Sequence, residues 1–272
     1  YVEISTIEMY LGFQERAEYA KKNEVQVPAL IVISPTMRCN LQCPGCYAGK
    51  YTKQPELEFE LLDRVVGEAK EMGIYFIVIS GGEPFIRQDL LDLAAKHDDV
   101  AFMVYTTGTL IDKAMAERLA QLGNLSPAIS IEGFEKETDA RRGPGTFKRI
   151  MEAMDYLREA GVIFGFSVTY TRNNTEVVAK DEFIDLMIDK GALYGWFFTF
   201  VPVGKDPDMN LMCTPEQRNY MRERVVYFRT TRPIFVADFW NDGSLAGGCL
   251  AGGRSYLHIN AHGDVEPCVF VH

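Results

Sequence analysis

The sequence predicts an α/β fold in which six βα units form a partial (β/α)6 barrel. Six short apolar runs alternate with amphipathic stretches of helical length, at the spacing of repeated βα units. The runs are apolar on both faces, which is typical of parallel strands that helices cover. Right-handed crossovers would curl these units into part of a TIM-like barrel, although a doubly wound open sheet fits the same pattern.

The elements are expected in a simple order along the chain. A helical lead-in comes first, and the predicted strands then cover residues 28–34, 75–80, 100–107, 127–132, 163–170 and 194–201. Helices are predicted near residues 57–72, 88–96, 112–122, 146–160, 179–190 and 214–229. Because the βα pattern stops near residue 230, we expect a lead-in (1–27), a barrel domain (28–229) and a small, incomplete carboxy-terminal extension that contains cysteines (230–272).

Composition limits the classes of function. A net charge of −10 argues against a broad basic surface, so nucleic acid is not an expected partner. No apolar run approaches the length of a membrane-spanning helix, so no membrane span is expected. Clustered cysteines without a secretion signal indicate metal ligands in a reducing compartment, which predicts a cytoplasmic protein.

Three of the six cysteines, Cys39, Cys43 and Cys46, follow the first predicted strand. Pro44 and Gly45 interrupt the helix that would stack them on one face, so the thiols are expected to converge from a loop. Soft sulfur ligands favour zinc or an iron–sulfur cluster. Zinc would need a distant fourth ligand, because no His or Cys lies between residues 47 and 96. A cluster with three protein ligands would leave one iron open.

The stretch Cys39-x3-Cys43-x2-Cys46, followed by Tyr47, resembles the signature of the radical S-adenosylmethionine (SAM) enzymes. The resemblance continues through later motifs that occur in the family's order over most of the chain. It implies that the three cysteines hold a [4Fe-4S] cluster whose open iron binds SAM. It also implies that Tyr47 lies in the SAM pocket.

Residues 80–85, Ser-Gly-Gly-Glu-Pro-Phe, resemble the family's glycine-glycine-glutamate motif. Gly81 and Gly82 would let the backbone approach the ligand closely. The Glu83 carboxylate would accept a hydrogen bond from the amino group of SAM.

Two other strand ends carry weaker matches. Residues 105–111, Tyr-Thr-Thr-Gly-Thr-Leu-Ile, resemble a third-strand motif in which Thr107 and Gly108 line the SAM pocket. A helix-capping turn explains these two residues equally well. Ser167 in the fifth strand is a further candidate SAM contact, and a core hydroxyl bonded to the backbone is the alternative.

The fourth predicted strand resembles the family segment Ser-x-Asp-Gly, which is followed later by Arg-Gly. Ser130 would face the ribose of SAM, and Arg141 or Arg142 would hold its carboxylate. Arg142 is favoured because it directly precedes a glycine. Glu132 stands where Asp is usual, so a polar contact with SAM is expected there with altered hydrogen bonding.

The carboxy-terminal segment resembles the opening of the SPASM or twitch extension that carries auxiliary iron–sulfur clusters. A predicted hairpin would bring Cys249 and Cys268 together as ligands of a second cluster. Two cysteines cannot fill a four-thiolate site, so Cys213, His258, His262 or a residue beyond 272 would have to assist. A disulfide between Cys249 and Cys268 is disfavoured in a reducing compartment.

The resemblance implies reductive cleavage of SAM and abstraction of hydrogen from a substrate. The electron would come from a donor such as flavodoxin or ferredoxin. A SPASM-like extension favours modification of a peptide or protein. The alternative is carbon–carbon bond formation or oxidation of a small molecule in lipid, haem or cofactor biosynthesis. A non-enzymatic module that holds zinc or a cluster remains a third hypothesis.

Overall fold

The computed structural model describes residues 2–51, 55–204 and 206–271. Its strands form a single sheet in the order β7-β6-β5-β4-β3-β2-β1-β8-β9. Strands β1 to β8 pair in parallel, and β9 pairs antiparallel with β8. The strand bounds are β1 Leu30–Ile33, β2 Phe76–Ile79, β3 Ala101–Thr106, β4 Leu125–Ser130, β5 Gly165–Tyr170, β6 Tyr194–Thr199, β7 Phe235–Asp238, β8 Tyr256–Ile259 and β9 Val265–Glu266.

Helices alternate with these strands and supply the second layer of the core. Their bounds are α1 Val2–Asn23, α2 Phe59–Glu71, α3 Asp89–Lys96, α4 Lys113–Leu122, α5 Glu135–Arg142, α6 Thr146–Glu159, α7 Thr175–Val178, α8 Asp181–Asp189 and α9 Pro215–Thr231. Outward strand residues such as Ile31 and Ile77 pack with helix residues such as Leu62 and Val66. Among the described helices, none has the length and apolar character needed to cross a membrane.

The strand order confirms the predicted α/β class and favours the partial barrel over the doubly wound sheet. From β1 to β7 each strand lies beside the strand that precedes it, so the sheet continues in one direction without reversal. The sheet is not closed. All six predicted βα units are present.

The structure differs from expectation at three elements. Helix α5 has one buried residue, Thr138, so it carries no apolar stripe that a pattern could reveal. Pro127 lies within β4, which begins two residues earlier, at Leu125. The boundary expected near residue 230 falls at the end of α9, yet β7 pairs with β6 and β8 pairs with β1. The carboxy-terminal segment therefore extends the same sheet at both of its edges.

Local signals fix several helix ends. The Asp112 carboxylate accepts a hydrogen bond from the Met115 amide at 2.8 Å, and Gly123 ends α4 in the left-handed region at φ 71°. At α9, the Thr214 hydroxyl accepts from the Gln217 amide, and the Gln217 side chain accepts from the Thr214 amide. This reciprocal pair is a capping box, and it sets the start of α9.

The outer face of the sheet leaves no room for a side chain at Gly195 in β6. The ring of Phe166 is fully buried and packs edge-on against Phe183 and Phe197, with both ring centroids at 5.7 Å. A Cβ atom at Gly195 would lie 2.2 Å from that ring. The glycine is thus required by close packing between β5 and β6.

We expect Gly195→Ala to lower the free energy of unfolding by about 1–3 kcal/mol, because the Phe166 ring must move within a filled core. Gly67→Ala is the matched control, since Gly67 lies inside α2 with no atom near the added methyl. That change should raise stability by about 0.5–1 kcal/mol. Urea unfolding of both variants checks this, and equal shifts in the same direction would contradict the packing argument.

Candidate active site at the carboxyl ends of the strands

A cavity of about 320 Å³ opens at the carboxyl ends of the strands, where ligands bind in folds of this class. The loop after β1 contributes Cys39, Cys43, Cys46 and Tyr47 to its wall. Strand ends add hydroxyls and backbone, and the segment after β7 adds apolar side chains. The structure therefore brings most of the predicted site residues to one place.

The three cysteines lie on a loop and not on a helix. The Leu41 amide donates to the Cys39 sulfur at 3.4 Å, and the Cys46 amide donates to the Cys43 carbonyl at 3.3 Å. Between them Gly45 has φ 65°, and a Cβ there would lie 2.7 Å from the Phe200 ring. Only glycine fits this turn, which directs the three thiols toward the cavity.

The Gly81-Gly82 pair holds this cysteine loop by its backbone. The Gly82 amide donates to the Thr36 carbonyl at 2.9 Å, and the Glu83 amide donates to the Arg38 carbonyl at 2.8 Å. A Cβ on Gly82 would lie 2.1 Å from the Arg38 oxygen, and one on Gly81 would lie 2.4 Å from the Thr36 oxygen. Both glycines line the cavity, but the close approach they permit is to the cysteine loop.

The Glu83 carboxylate lies behind the cavity wall, and its expected contact with the amino group of SAM stays a prediction. It is fully buried and accepts hydrogen bonds from the Phe85 amide, the Thr106 hydroxyl and the Thr107 amide. The shortest, from Thr107, is 2.6 Å. Glu83 is absent from the described cavity wall, so this carboxylate joins the ends of β2 and β3 behind it.

The third-strand motif is divided between the cavity and the core. Thr107 lines the cavity and its hydroxyl bonds to that of Thr109 at 2.8 Å. Gly108 has φ 75° and packs on Ile129, where a Cβ would lie 2.8 Å from a methyl carbon. Gly108 therefore forms a turn and does not line the cavity. Thr106 lines the cavity together with Thr107.

Strands β4 and β5 place a pair of serines in the cavity. Ser130 and Ser167 are register partners, and their hydroxyl oxygens are 3.1 Å apart. Both line the cavity as expected. On the opposite side, the Tyr47 hydroxyl bonds to the Ser80 hydroxyl at 2.8 Å. Ser80 was not predicted, although it directly precedes the glycine pair.

Glu132 holds two arginines at the cavity and does not line it. The side chain is 1% exposed, and its Oε1 atom accepts from Arg142 Nε at 2.9 Å. Its Oε2 atom lies 2.8 Å from Arg141 Nη1. Arg141 also reaches the Pro44 carbonyl at 3.4 Å, so the pair contacts the cysteine loop. Both arginines line the cavity, and Glu132 supports them from behind. The expected polar contact between Glu132 and SAM stays a prediction.

Charges around the loop suit a negatively charged sulfur cluster. Burial raises the pKa of Cys39 to about 11, and nearby Glu83, Cys43 and Cys46 add to that rise. Burial also raises the pKa of Cys43, and Arg142 opposes that rise. Burial disfavours the charge of Arg142, but Glu132 and the thiols raise its pKa overall. Two arginines beside three crowded thiols can offset the charge that the thiolates gain on binding metal.

The donor set of three thiols on one loop fits an iron–sulfur cluster. Within the described ranges, no three His, Cys, Asp or Glu side chains form a site for one metal ion. An iron–sulfur cluster holds its thiolates at separate irons, so its ligands need not converge on one point. Cys39, Cys43 and Cys46 are the residues that could hold it.

The carboxy-terminal cysteines belong to the segment that follows β7. Strands β8 and β9 form the expected hairpin, and the Tyr256 hydroxyl lies 3.0 Å from the Cys268 sulfur. Cys249 is exposed. Two of the proposed helpers have other partners: the Cys213 sulfur contacts the Thr175 hydroxyl, and His258 bonds to Ser34 and Glu266. An auxiliary cluster at Cys249 and Cys268 stays a prediction.

Aromatic side chains form one side of the cavity and were missing from the predicted site. Alternate residues of β6 divide between two environments, so Trp196 and Phe198 line the cavity while Phe197 packs in the outer core. The aromatic run in the sixth predicted strand was the sequence signal for this side of the cavity. Successive residues of a strand point to opposite faces of the sheet, so alternate rings of the run share one face. We name the aromatic wall as the lining residues Tyr105, Trp196, Phe198, Phe239, Tyr256 and Phe270.

Comparison with known proteins agrees with this geometry. The profile of the Radical SAM superfamily matches residues 33–184, more than half of the chain. The AdoMet-dependent heme synthase of Methanosarcina barkeri is 27% identical, over 90% of this chain and 77% of that protein. The mycofactocin maturase MftC of Mycolicibacterium smegmatis is 30% identical, over 90% of this chain and 65% of that protein.

A solved structure shows the same fold. SuiB of Streptococcus suis, bound to S-adenosylmethionine, superposes with a TM-score of 0.76 at 20% identity. The match covers 94% of this chain and 64% of SuiB, so the chain spans less than two thirds of that protein.

A partial barrel with a three-cysteine loop at its strand ends defines a class of enzyme that uses an iron–sulfur cluster. The chain belongs to the radical SAM superfamily, whose enzymes use a [4Fe-4S] cluster and SAM.

We expect Glu83→Gln to lower the free energy of unfolding of the SAM-free protein by about 1–3 kcal/mol, because an amide nitrogen would face backbone N–H donors. Glu117→Gln on the exposed face of α4 is the control and should change stability by less than about 0.5 kcal/mol. Chemical denaturation without SAM measures both. Unchanged stability with a loss of SAM binding alone would return Glu83 to the role of a direct SAM contact.

Proposed function

We propose that this enzyme cleaves SAM reductively and abstracts hydrogen from a peptide or protein substrate. The observation that carries the proposal is the convergence of three loop thiols, the Ser130–Ser167 pair and two arginines on one cavity. When bound, the cluster and SAM supply a 5′-deoxyadenosyl radical, with methionine as the other product. The chain's own residues bind and orient these groups and keep water away.

The methionine portion of SAM would bind on the side of the cavity beside the cysteine loop. Arg142, together with Arg141, would bind the SAM carboxylate, because the two guanidinium groups share one Glu132 partner and retain a net positive charge. Backbone at Gly81 and Gly82 forms the adjoining wall. Glu83 acts through Thr106 and Thr107, whose positions it holds.

The rest of SAM would lie against strand-end hydroxyls. Ser130 and Ser167 would face the ribose, and Tyr47 and Thr107 would complete the pocket. Apolar side chains such as Val78 and Met103 form the floor. An apolar floor excludes water and polar X–H groups from the space in which the radical reacts.

Peptide modification is favoured by two relatives. MftC is named as a maturase, and SuiB bound to its precursor peptide SuiA superposes with a TM-score of 0.77. A second candidate is reaction on a tetrapyrrole or another small molecule in haem, lipid or cofactor biosynthesis. The similarity to the M. barkeri heme synthase favours it.

Further parts of the proposal concern the surroundings of the site. Cys249 and Cys268 would contribute to an auxiliary iron–sulfur cluster in the segment 230–272, treated as a SPASM-like or twitch-like extension. Flavodoxin or ferredoxin would supply the electron. A reducing cytoplasm would keep the free thiols available for metal.

The test is release of 5′-deoxyadenosine from SAM by anaerobically reconstituted, reduced protein. We expect release by the unmodified protein and none by Cys43→Ala, because the cluster would lose one of its three ligands. Cys213→Ala is the matched control and should retain release, since Cys213 lies outside the cavity wall.

Iron content and SAM binding are measured on the same samples. One equivalent of zinc with no SAM binding would contradict the proposal and favour a structural metal module. Release by Cys43→Ala equal to that of the unmodified protein would contradict the assignment of the cysteine loop.

A further inference from the structure

The charged groups of the cavity are confined to one corner. Among the described lining residues, Arg141 and Arg142 are the only Arg, Lys, Asp or Glu side chains. Both bind Glu132. Arg141 reaches the carbonyl of Pro44, so this corner adjoins the cysteine loop. If SAM occupies that corner as proposed, the rest of the cavity offers a substrate no cation.

The aromatic wall forms a continuous apolar surface elsewhere in the cavity. Trp196 stacks on Phe198 with ring centroids 6.4 Å apart, and Phe198 contacts Phe239 at 5.5 Å. Phe270 contacts Tyr47 at 5.5 Å, which joins the wall to the cysteine loop. Rings from β6 and from the carboxy-terminal segment therefore meet around the space that the substrate would enter.

The two tyrosine hydroxyls of this wall differ in their contacts with the described residues. The Tyr256 hydroxyl lies 3.0 Å from the Cys268 sulfur, whereas the Tyr105 hydroxyl forms no hydrogen bond with the described residues. Tyr105 lines the cavity and packs its ring edge-on against Phe198 at 5.8 Å. Burial raises the pKa of Tyr105 well above its usual range, so its hydroxyl remains a neutral donor. Because Tyr105 lines the cavity, its hydroxyl can donate to a ligand that occupies the cavity.

We propose that the aromatic wall binds an uncharged, apolar side chain of a peptide, and that the Tyr105 hydroxyl donates a hydrogen bond to a neighbouring peptide carbonyl. This inference rests on the proposed function and narrows it to a substrate class. A peptide segment offers both parts of that recognition, since an apolar side chain is attached to the backbone beside a carbonyl acceptor.

The same geometry disfavours a substrate that carries carboxylates. A carboxylate placed against the aromatic wall would lose its hydration without gaining a cation or a set of donors. A tetrapyrrole with several carboxylates would face this cost more than once. Specificity would thus arise from exclusion of charge as well as from contact with the rings.

The experiment compares three probes on cluster-loaded protein with SAM bound. The probes are N-acetylphenylalaninamide, its carboxylate counterpart N-acetylphenylalanine, and coproporphyrin III, with binding measured by isothermal titration calorimetry. We expect the amide to bind about tenfold or more tightly than the carboxylate, a difference of about 1.4 kcal/mol. We also expect coproporphyrin III to bind more weakly than the amide.

Tyr105→Phe isolates the hydroxyl, because it keeps the ring that packs on Phe198. We expect it to weaken amide binding by about tenfold, the factor that one lost hydrogen bond of about 1.4 kcal/mol produces. Tyr194→Phe is the matched control. Its hydroxyl bonds to Ser126 and to the Pro127 carbonyl, outside the cavity wall, so amide binding should be unchanged.

Three results would overturn the inference: absence of amide binding at its solubility limit, equal or tighter binding of either carboxylated probe, and unchanged affinity in Tyr105→Phe. Release of 5′-deoxyadenosine is scored separately on the same preparations. Amide selectivity without release would leave the substrate class standing and count against the enzyme reaction. Release without amide selectivity would support the enzyme reaction and count against the proposed substrate class.

Discussion

The backbone contact between the cysteine loop and the Gly81-Gly82 pair is the constraint on which the site depends. Two amide-to-carbonyl hydrogen bonds join the loop to the end of β2, at a separation that leaves no space for a Cβ atom. Because these two contacts use main-chain atoms, they do not depend on side-chain rotamers. The loop is therefore fixed against the end of β2, with the three cysteines in the cavity wall.

Two buried carboxylates extend this constraint outward. Glu83 joins the ends of β2 and β3 through Thr106 and Thr107, and Glu132 joins two arginines beside the loop. Neither carboxylate lines the cavity. Both fix groups that do, so the charge that a bound molecule meets is the positive charge of Arg141 and Arg142. Acidic residues next to a cavity can thus determine its electrostatics without touching its contents.

Most of the barrel could be predicted from the sequence, because each βα unit carries its own local pattern. The sequence pattern did not reveal the short strand β7, and it could not show which distant strand β8 pairs with. Strand β7 has four residues, and β8 pairs with β1, which lies more than 200 residues earlier in the sequence. In the site, motif spacing indicated the cysteines and Ser130, and a polar residue in an apolar strand indicated Ser167. It could not indicate which way Glu83 and Glu132 face, since that depends on donors such as Thr107 and Arg142, which lie elsewhere in the chain.

The pairing of β8 with β1 has a consequence for the order of folding. Strand β1 leads directly into the cysteine loop, and the Ser34 hydroxyl after it lies 2.8 Å from His258 Nε2 in β8. During synthesis β1 can pair with β2 early, but its other edge stays open until residues 256–259 have emerged. Contacts of such large sequence separation form slowly, and an open strand edge invites pairing with other chains. The strand that leads into the cysteine loop can thus pair early on one edge and is among the last to be enclosed on both.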